Sequence, residues 1–515
     1  MSILRFAFST SMSLAVLAPL VAAQTVTAII DSTGDGAGNV LGGARAVETD
    51  SAGNVYVTGQ ISHNAFRITP AGVVTELIDT TGDGTPGSLL LSSTGVAVDG
   101  AGNVFVAGRD SDNVFRITPG GVVTEIIDST GDGAGNPLDS PRVLAVDGSG
   151  NVYVTGGNSD NAFKITPAGT VTEIIDATGD GAGNALVTAG GVAVDGAGNV
   201  YISGQDSDNA FRITPAGVVT QIIDSTGDGA GNDLGHPEWI AVDATGTAYV
   251  SGQQSDNAFQ VTSAGVVTEI IDATGDGLNV LDGSEGIAVD GAGNVFVTGW
   301  NSWNAFRITP GGLITQVIDP SGDGTQVLVS ARGVAVDGSG NAYVAGFNSG
   351  NVFRFTPATP PPPGTEFCFG DGTASSCPCG NNGGSGEGCA NSSGAGGTAV
   401  ASGSASVSAD DLLLGAEGLL PGQPALLFSG MNAVNNGDGV VFGDGLRCAG
   451  GSVVRHGVVY PDSAGAAVWG PGLGVAGGWV SGDVRRLQVW YRDPIGSPCG
   501  MLFNLTNGVE VPFTP

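Results

Sequence analysis

Apolar and polar positions alternate in short runs over the first two thirds of the chain, and the pattern repeats about every 48 residues. Residues 190–224 contain one full copy: four short runs rich in Val, Ile, Ala and Phe, separated by turns of Gly, Pro, Asn and Asp. Alternation bounded by such turn residues predicts β-strands, and no stretch shows a competing helical period. Four strands in a unit of this length predict a β-propeller blade.

Seven first strands can be counted, but the seventh copy stops after its third strand at Phe355-Thr356-Pro357. A matching fourth strand, residues 25–31, precedes the first copy. The sequence therefore predicts an all-β fold with a seven-bladed propeller over residues 24–357, closed by the N-terminal strand, which would pair an otherwise open edge.

The remaining segments differ in kind. Residues 1–23 have a basic start, an apolar run and a small-residue end, which predicts a signal peptide. Residues 358–364 form a proline-rich linker. Residues 365–515 hold all six cysteines and several short apolar runs, which predicts a small disulfide-bonded β-sandwich-like domain. Six cysteines can form three disulfides in fifteen ways, and a bond between Cys377 and Cys379 is the least favoured because one intervening residue strains the geometry. A zinc site is the alternative for the first four cysteines.

The charge balance limits the partners. The chain has 16 Lys and Arg against 49 Asp and Glu, a formal net charge of -33. Such an acidic chain is not expected to bind nucleic acid through its phosphates or to associate with anionic membranes. We expect a protein that is secreted, extracellular or in the cell envelope, without membrane insertion after signal cleavage, whose partner is an extracellular protein, a glycan or a small ligand.

The loops after the fourth strands carry a repeated Asp-x-(Thr/Ser)-Gly-Asp-Gly motif. Two carboxylates, a hydroxyl and a glycine that permits a sharp turn suit calcium, the one candidate cofactor, although no loop has the distal Glu of an EF-hand. The favoured alternative is a turn whose carboxylates accept bonds from backbone amides. The candidate metal ligands are Asp31, Asp35, Asp79, Asp83, Asp128, Asp132, Asp176, Asp180, Asp224, Asp228, Asp272, Asp276, Asp319 and Asp323.

Positions that depart from the repeat indicate where a ligand could bind. The residue two positions before each predicted first strand differs from copy to copy and is charged or small. These residues should surround the mouth of the central channel. The candidate ligand-binding residues are Arg45, Arg142, Glu238, Glu285, Arg332, Trp300 and Trp303. Alternatively, the charged residues among them form ion pairs with one another instead of binding a ligand. The candidate catalytic residues are Glu238, Glu285, Arg142 and His236, but no complete catalytic set can be assembled.

Runs such as Val192-Ala-Val-Asp-Gly-Ala-Gly-Asn-Val-Tyr201 and Phe211-Arg-Ile-Thr-Pro215 resemble NHL-type and SBBP-type propeller repeats. They are also similar to blades of the virginiamycin B lyase family. That resemblance implies a seven-bladed fold and a magnesium site of histidine and glutamate, for which His236 lacks a histidine partner here. A gluconolactonase-like role would need a calcium cluster, with Glu238 and Glu285 as candidates. Cys377-Pro-Cys379-Gly-Asn-Asn and Asn504-Leu-Thr-Asn-Gly resemble a module of secreted bacterial proteins.

Two function hypotheses follow. The first is a secreted, non-enzymatic binding or scaffold propeller, stabilised by calcium if the Asp loops bind it, because close repetition without a catalytic set suits stable presentation of contacts. The second is a metal-dependent lyase or lactonase that acts at the channel mouth.

Overall fold

The computed structural model describes residues 24–358, 363–373 and 375–514. The predicted signal peptide, residues 1–23, and most of the predicted linker lie outside the described residues. Two compact units are present, residues 24–358 and the residues from 363 onwards. The first unit contains the repeats and the second contains the cysteines.

The described residues of the first unit form seven four-stranded antiparallel sheets, here numbered sheets 1 to 7 in chain order. The first strands are Ala44–Thr49, Ser93–Val98, Pro141–Val146, Ala189–Val194, Pro237–Val242, Ser284–Val289 and Ala331–Val336. The second strands are Val55–Gly59, Val104–Gly108, Val152–Gly156, Val200–Gly204, Ala248–Gly252, Val295–Gly299 and Ala342–Gly346.

The third strands are Asn64–Ile68, Asn113–Ile117, Asn161–Ile165, Asn209–Ile213, Asn257–Val261, Asn304–Ile308 and Asn351–Thr356. The fourth strands are Val74–Ile78, Val123–Ile127, Val171–Ile175, Val219–Ile223, Val267–Ile271, Ile314–Ile318 and, for sheet 7, Thr25–Ile30. Each first strand contacts the first strands of the two neighbouring sheets, so that the first strands surround a central channel.

The N-terminal strand completes sheet 7, as the sequence predicted. Thr25–Ile30 pairs antiparallel with Asn351–Thr356, and Thr25 lies opposite Thr356 and Val26 opposite Phe355. The two ends of the repeat region are therefore held in one hydrogen-bonded sheet. Both edges of that seam would otherwise present unpaired backbone groups.

The core of this unit lies between neighbouring sheets. Every second strand is buried along its whole length, because its side chains pack alternately against the sheets on either side. Each third strand has a fully buried phenylalanine at the same repeat position, and these are Phe66, Phe115, Phe163, Phe211, Phe259, Phe306 and Phe353. Each second strand adds a buried tyrosine or phenylalanine, so every repeat carries two aromatic core positions.

Acidic side chains in the loops after the second strands link adjacent sheets. Asp112 accepts a bond from the Ser140 amide, and Asp208 does the same for the His236 amide. In sheet 1, His63 replaces the aspartate, and its Nδ1 accepts the Ser92 amide at 2.7 Å. These residues therefore hold neighbouring sheets together.

The second unit consists of two main sheets. The larger contains Thr365–Phe367, Gly508–Pro512, Val484–Arg492, Ala425–Gly430, Val454–Val459 and Phe503–Leu505; the smaller contains Thr398–Ser402, Leu413–Glu417 and Ala467–Trp469. Residues of both sheets, among them Leu414, Trp469, Leu487 and Val511, pack into one core. The predicted sandwich-like architecture is confirmed.

Short elements complete this unit. Two small hairpin-like pairs join Asn432–Ala433 with Ala449–Gly450 and Val440–Phe442 with Gly445–Arg447. The helical segments among its described residues are two 3₁₀ turns and one short α-helix, Pro378–Gly380, Val434–Gly437 and Leu473–Gly477. Within the described parts of the chain, no helix is long and apolar enough to span a membrane.

Three disulfides connect all six cysteines. They join Cys368 to Cys448, Cys377 to Cys389 and Cys379 to Cys499. The disfavoured Cys377–Cys379 bond is not formed, and the zinc alternative fails because each candidate thiol is used in a disulfide. Disulfides of this kind indicate an oxidising, extracellular setting.

Candidate ligand-binding site at the channel mouth

The second residue of each first strand points to one end of the channel, where the repeat is most variable. These residues are Arg45, Thr94, Arg142, Gly190, Glu238, Glu285 and Arg332. Arg45, Arg142, Glu238 and Arg332 line a cavity of about 290 Å³ at this mouth. The structure therefore brings together four of the five charged residues that the repeat alignment predicted to lie there. The fifth, Glu285, is fully buried and does not line the cavity.

A second ring of residues, each directly after the glycine that ends a second strand, completes the pocket. Arg109, Gln205 and Gln253 from this ring line the cavity, together with Thr188, Asp206 and His236 from neighbouring loops. The ring as a whole is Gln60, Arg109, Gly157, Gln205, Gln253, Trp300 and Phe347. Most of this ring was missed from the sequence, although its variation at one fixed repeat position was the available signal.

Arg45 and Glu238 form a buried ion pair across the mouth. Arg45 Nη2 lies 3.4 Å from Glu238 Oε1, and both side chains are nearly inaccessible to solvent. Burial lowers the pKa of Arg45 to about 10, and repulsion from Arg332 adds to this effect. The guanidinium nevertheless remains charged at neutral pH. The pair fixes two opposite charges in one part of the pocket wall.

Arg332 and Glu285 form the second pair. Arg332 Nη1 lies 2.8 Å from Glu285 Oε1, which is fully buried. Burial raises the pKa of Glu285 to about 7, and attraction to Arg332 opposes this rise. The guanidinium also lies over two aromatic rings, 4.1 Å from the centroid of Trp300 and 4.7 Å from that of Phe347. Cation–π contacts and the ion pair together hold Arg332 in one position.

Arg142 has a different environment. Its Nη1 donates to Gln205 Oε1, and the Gln205 amide in turn donates to Glu238. Its Nε is buried and has no hydrogen-bond partner within the described residues. His236 lies further along the same wall, with Nδ1 3.9 Å from Glu238 and Nε2 3.7 Å from Asp206. Arg142 is therefore tied to the network through an amide rather than a carboxylate.

Trp239 crosses the channel below this network. It packs against three separate cores, between sheets 1 and 2, sheets 3 and 4, and sheets 5 and 6. A side chain from sheet 5 reaches all three only by crossing the channel. At the same repeat position the other sheets have Ala, Val or Gly. Trp239 thus fills space that the small residues of the other sheets leave open.

Below Trp239 the channel continues as a cavity of about 370 Å³ lined almost entirely by Ala, Val, Leu and Ile. Glu48 is the one charged residue among the described residues that line it, at a position where the other six sheets have alanine. Burial raises the pKa of Glu48 to about 7, although its carboxylate accepts a bond from the Thr49 amide. Burial therefore favours the protonated form of this carboxyl group.

The two tryptophans proposed for ligand binding occupy different environments. Trp300 supports Arg332 from behind and contacts Phe347, with ring centroids 5.7 Å apart. Trp303 is 41% exposed and is not among the residues that line the mouth pocket. Trp300 therefore positions an arginine of the site, whereas Trp303 lies at the surface.

The Asp-x-(Thr/Ser)-Gly-Asp-Gly loops form closed turns. In all seven, Oδ1 of the first aspartate accepts bonds from the amide and hydroxyl of the residue two positions later, as Asp31 does from Thr33. The second aspartate caps a following amide. These bonds agree with the turn interpretation.

Some of these loops also connect neighbouring sheets. Asp276 accepts the Gln316 amide of the next sheet, and Asp323 accepts the Ala28 amide. Hydrogen bonds lower the pKa of Asp323 well below its usual value. Among the described residues, no group of three or more His, Cys, Asp or Glu side chains is arranged to hold a metal ion. Calcium binding by these loops stays a prediction.

Comparison with known proteins identifies the architecture. No family model matches the sequence, and no curated protein does. Virginiamycin B lyase from Staphylococcus aureus is 16% identical, with a TM-score of 0.51 over 65% of this chain and 99% of that one. A streptogramin B lyase structure is 14% identical, with a TM-score of 0.50 over 65% and 97%. The repeat region is a β-propeller.

The likeness extends no further than the fold of the propeller. Sequence identities of this size do not carry active-site residues from one chain to another. A gluconolactonase from Xanthomonas campestris also matches over 64% of this chain, at 13% identity and a TM-score of 0.39, which is too low to support an argument. The function of this propeller therefore depends on the residues of its own pocket.

Proposed function

We propose that the protein is an exported, non-enzymatic binding protein that holds a small polar ligand in the mouth pocket of its propeller. The observation that carries this proposal is the concentration of four arginines, Arg45, Arg109, Arg142 and Arg332, around one cavity of about 290 Å³. A rigid scaffold that presents charged groups from several sheets is the usual setting of a binding site.

The internal pairing of the pocket favours binding over catalysis. Glu238 is paired with Arg45 and Glu285 with Arg332, so both candidate glutamates are held by arginines. A general acid or base needs freedom to exchange a proton with the substrate. A fixed network of opposite charges instead supplies preorganised donors and acceptors, which lower the cost of ordering the site when a ligand binds.

The test uses the mature full-length protein and a variant in which the pocket is filled. Thr188→Phe places an aromatic ring in the cavity, and His236 at the same repeat position of sheet 5 indicates that the backbone accepts a ring there. A set of sugars, amino acids and organic acids is screened by saturation-transfer NMR. We expect compounds that bind the wild type and not the variant, and that remain chemically unchanged after long incubation.

Two outcomes would contradict the proposal, and they differ. Chemical conversion of a bound compound would favour the metal-dependent lyase or lactonase alternative. Equal binding of every compound by the wild type and Thr188→Phe would show that the pocket is not the binding site. A variant that unfolds is detected by its thermal transition, and Thr188→His, which introduces the ring that sheet 5 already has at this position, then replaces it.

A further inference from the structure

The mouth pocket contrasts in charge with the rest of the protein. The whole chain has 16 Lys and Arg residues and a formal net charge of -33. Four of those 16 cationic residues line this one pocket, together with two carboxylates, Asp206 and Glu238. An otherwise acidic protein repels anions, so a cluster of arginines at one point creates a local exception to that repulsion.

Three of the four arginines already have a carboxylate partner. Arg45 pairs with Glu238 and Arg332 with Glu285, while Arg109 Nε lies 2.9 Å from Asp110 Oδ1. Their charges are compensated within the protein.

Arg142 differs, because no carboxylate of the described residues forms an ion pair with it. Its contact within the network is the amide oxygen of Gln205, which carries no charge. It also lies close enough to Arg45 to lower the pKa of that group by repulsion. A nearby anion would relieve this repulsion, because it would offset a positive charge that the protein leaves uncompensated.

The surroundings of Arg142 leave room for its guanidinium group. Gly157 lies directly against it, and a Cβ atom at Gly157 would come within 2.3 Å of Arg142 Nε. In the other sheets this repeat position has larger side chains, including Gln205 and Gln253. The glycine thus accommodates the arginine side chain at the pocket wall.

The other polar groups of the pocket are suited to hydroxyl groups. The Gln253 amide and the Thr188 hydroxyl line the same cavity and can hydrogen-bond to ligand hydroxyl groups. Thr188 would accept such a bond, because its own hydroxyl already donates to Asp206. The cavity has the size of a small metabolite. One uncompensated positive charge favours one negative charge on the ligand, because a dianion would also approach Glu238.

We infer that the ligand is a small hydroxylated carboxylate and that Arg142 binds its carboxylate group. This inference rests on the proposed function, since it names the class of ligand for the same pocket. The planar guanidinium offers parallel donors that match the two oxygens of a carboxylate. Gln205, held between Arg142 and Glu238, then positions the guanidinium relative to the bound ligand.

The experiment compares D-glucuronate with D-glucuronamide, which have nearly the same shape and differ in charge. Acetate and inorganic phosphate serve as small anions with and without carboxylate geometry. Binding to the mature full-length protein is measured by calorimetry and thermal shift. We expect D-glucuronate and acetate to bind, the amide not to bind, and phosphate to bind more weakly than D-glucuronate.

The variant Arg142→Thr introduces the residue that sheet 2 has at the same position, Thr94. We expect it to weaken D-glucuronate binding roughly 10- to 100-fold, the range for loss of hydrogen bonds to a charged group. The matched control is Arg212→Gln, which removes one positive charge from a third strand outside the pocket. Sheet 5 has Gln260 at that repeat position, so the fold accepts the change. The control should bind as the wild type does.

The results separate this inference from the proposed function. Binding of D-glucuronamide as tight as that of D-glucuronate, unaffected by Arg142→Thr, would overturn the inference and leave a binding pocket in place. Absence of any carboxylate binding would overturn the inference as well. Chemical conversion of D-glucuronate would contradict the non-enzymatic function, while leaving the carboxylate specificity supported. If Arg142→Thr does not fold, Arg142→Lys tests the same contact and should retain charge but lose part of the affinity.

Discussion

Trp239 offers the most direct test of how the channel is organised. Replacing it with alanine would give sheet 5 a small residue, as the other sheets have at this position. The indole contacts three inter-sheet cores, so its loss would leave a gap that several sheets border. We expect the repeat to keep its fold, because small residues are already accommodated there.

The size of the effect follows from burial. Truncation of a fully buried Trp or Phe to Ala typically costs about 3–5 kcal/mol. Trp239 is only partly buried because one side borders the channel, so we expect the free energy of unfolding of the propeller to fall by about 2–3 kcal/mol. The same substitution at Trp303, which is 41% exposed, should cost less than about 0.5 kcal/mol.

The assay is scanning calorimetry of the full-length protein, supported by guanidinium denaturation followed by tryptophan fluorescence. We expect Trp239→Ala to lower the melting temperature of the propeller transition and to leave the transition of the C-terminal unit unchanged. Equal, small effects of Trp239→Ala and Trp303→Ala would refute the reasoning, because they would show that Trp239 does not join the three cores. A lower temperature for the C-terminal transition alone would also contradict it.

Three further predictions concern the channel, the Asp loops and the disulfides. Because the pKa of Glu48 is raised, this residue costs stability once the pH exceeds its usual pKa of 4.5, and the full cost is reached above about 7. Glu48→Ala should therefore leave the melting temperature unchanged near pH 4 and stabilise the propeller by about 1–2 kcal/mol near pH 8. The same effect at both pH values would refute this prediction. Calcium titration should give no saturable rise in melting temperature, because the loop carboxylates accept bonds within their own turns; a rise reversed by chelator would instead support the calcium hypothesis. Replacing Cys368 and Cys448 by alanine should destabilise the C-terminal unit by about 2–4 kcal/mol in calorimetry, and an equal loss in the propeller transition would show that the two units do not unfold independently.

The strands and their order are predictable because the repeat imposes them. Alternating apolar runs bounded by glycine and proline recur with an almost fixed spacing, and each third strand carries the same buried phenylalanine. The N-terminal strand could be assigned to sheet 7 because the last copy lacks a fourth strand. Regular spacing also predicts that Arg45, Arg142, Glu238 and Arg332 lie at one mouth of the channel, and they do.

Side-chain partners are not predictable in the same way. The repeat position of Glu285 follows from the spacing, but its pairing with Arg332 and the stacking of that arginine on Trp300 depend on how far each side chain reaches across the mouth. Trp239 departs from the small residues at this position in the other sheets, but the departure alone does not predict that the indole packs on three cores. The cysteine pairing depends on the folding of distant strands, so spacing alone leaves fifteen solutions.

The positions that break the repeat are concentrated at the channel rather than at the outer strands. In the repeat copies, a residue between two sheets is constrained on both sides, and a change there would disturb two cores. A residue that faces the channel has space on one side, so charge and size can change there without loss of the ring. Three departures from the repeat face the channel in this way: Arg142 beside Gly157, Trp239, and Glu48. We therefore expect the binding site at the positions where the seven sheets differ from one another. Arg142 is the clearest of these positions, because no carboxylate of the described residues compensates its charge.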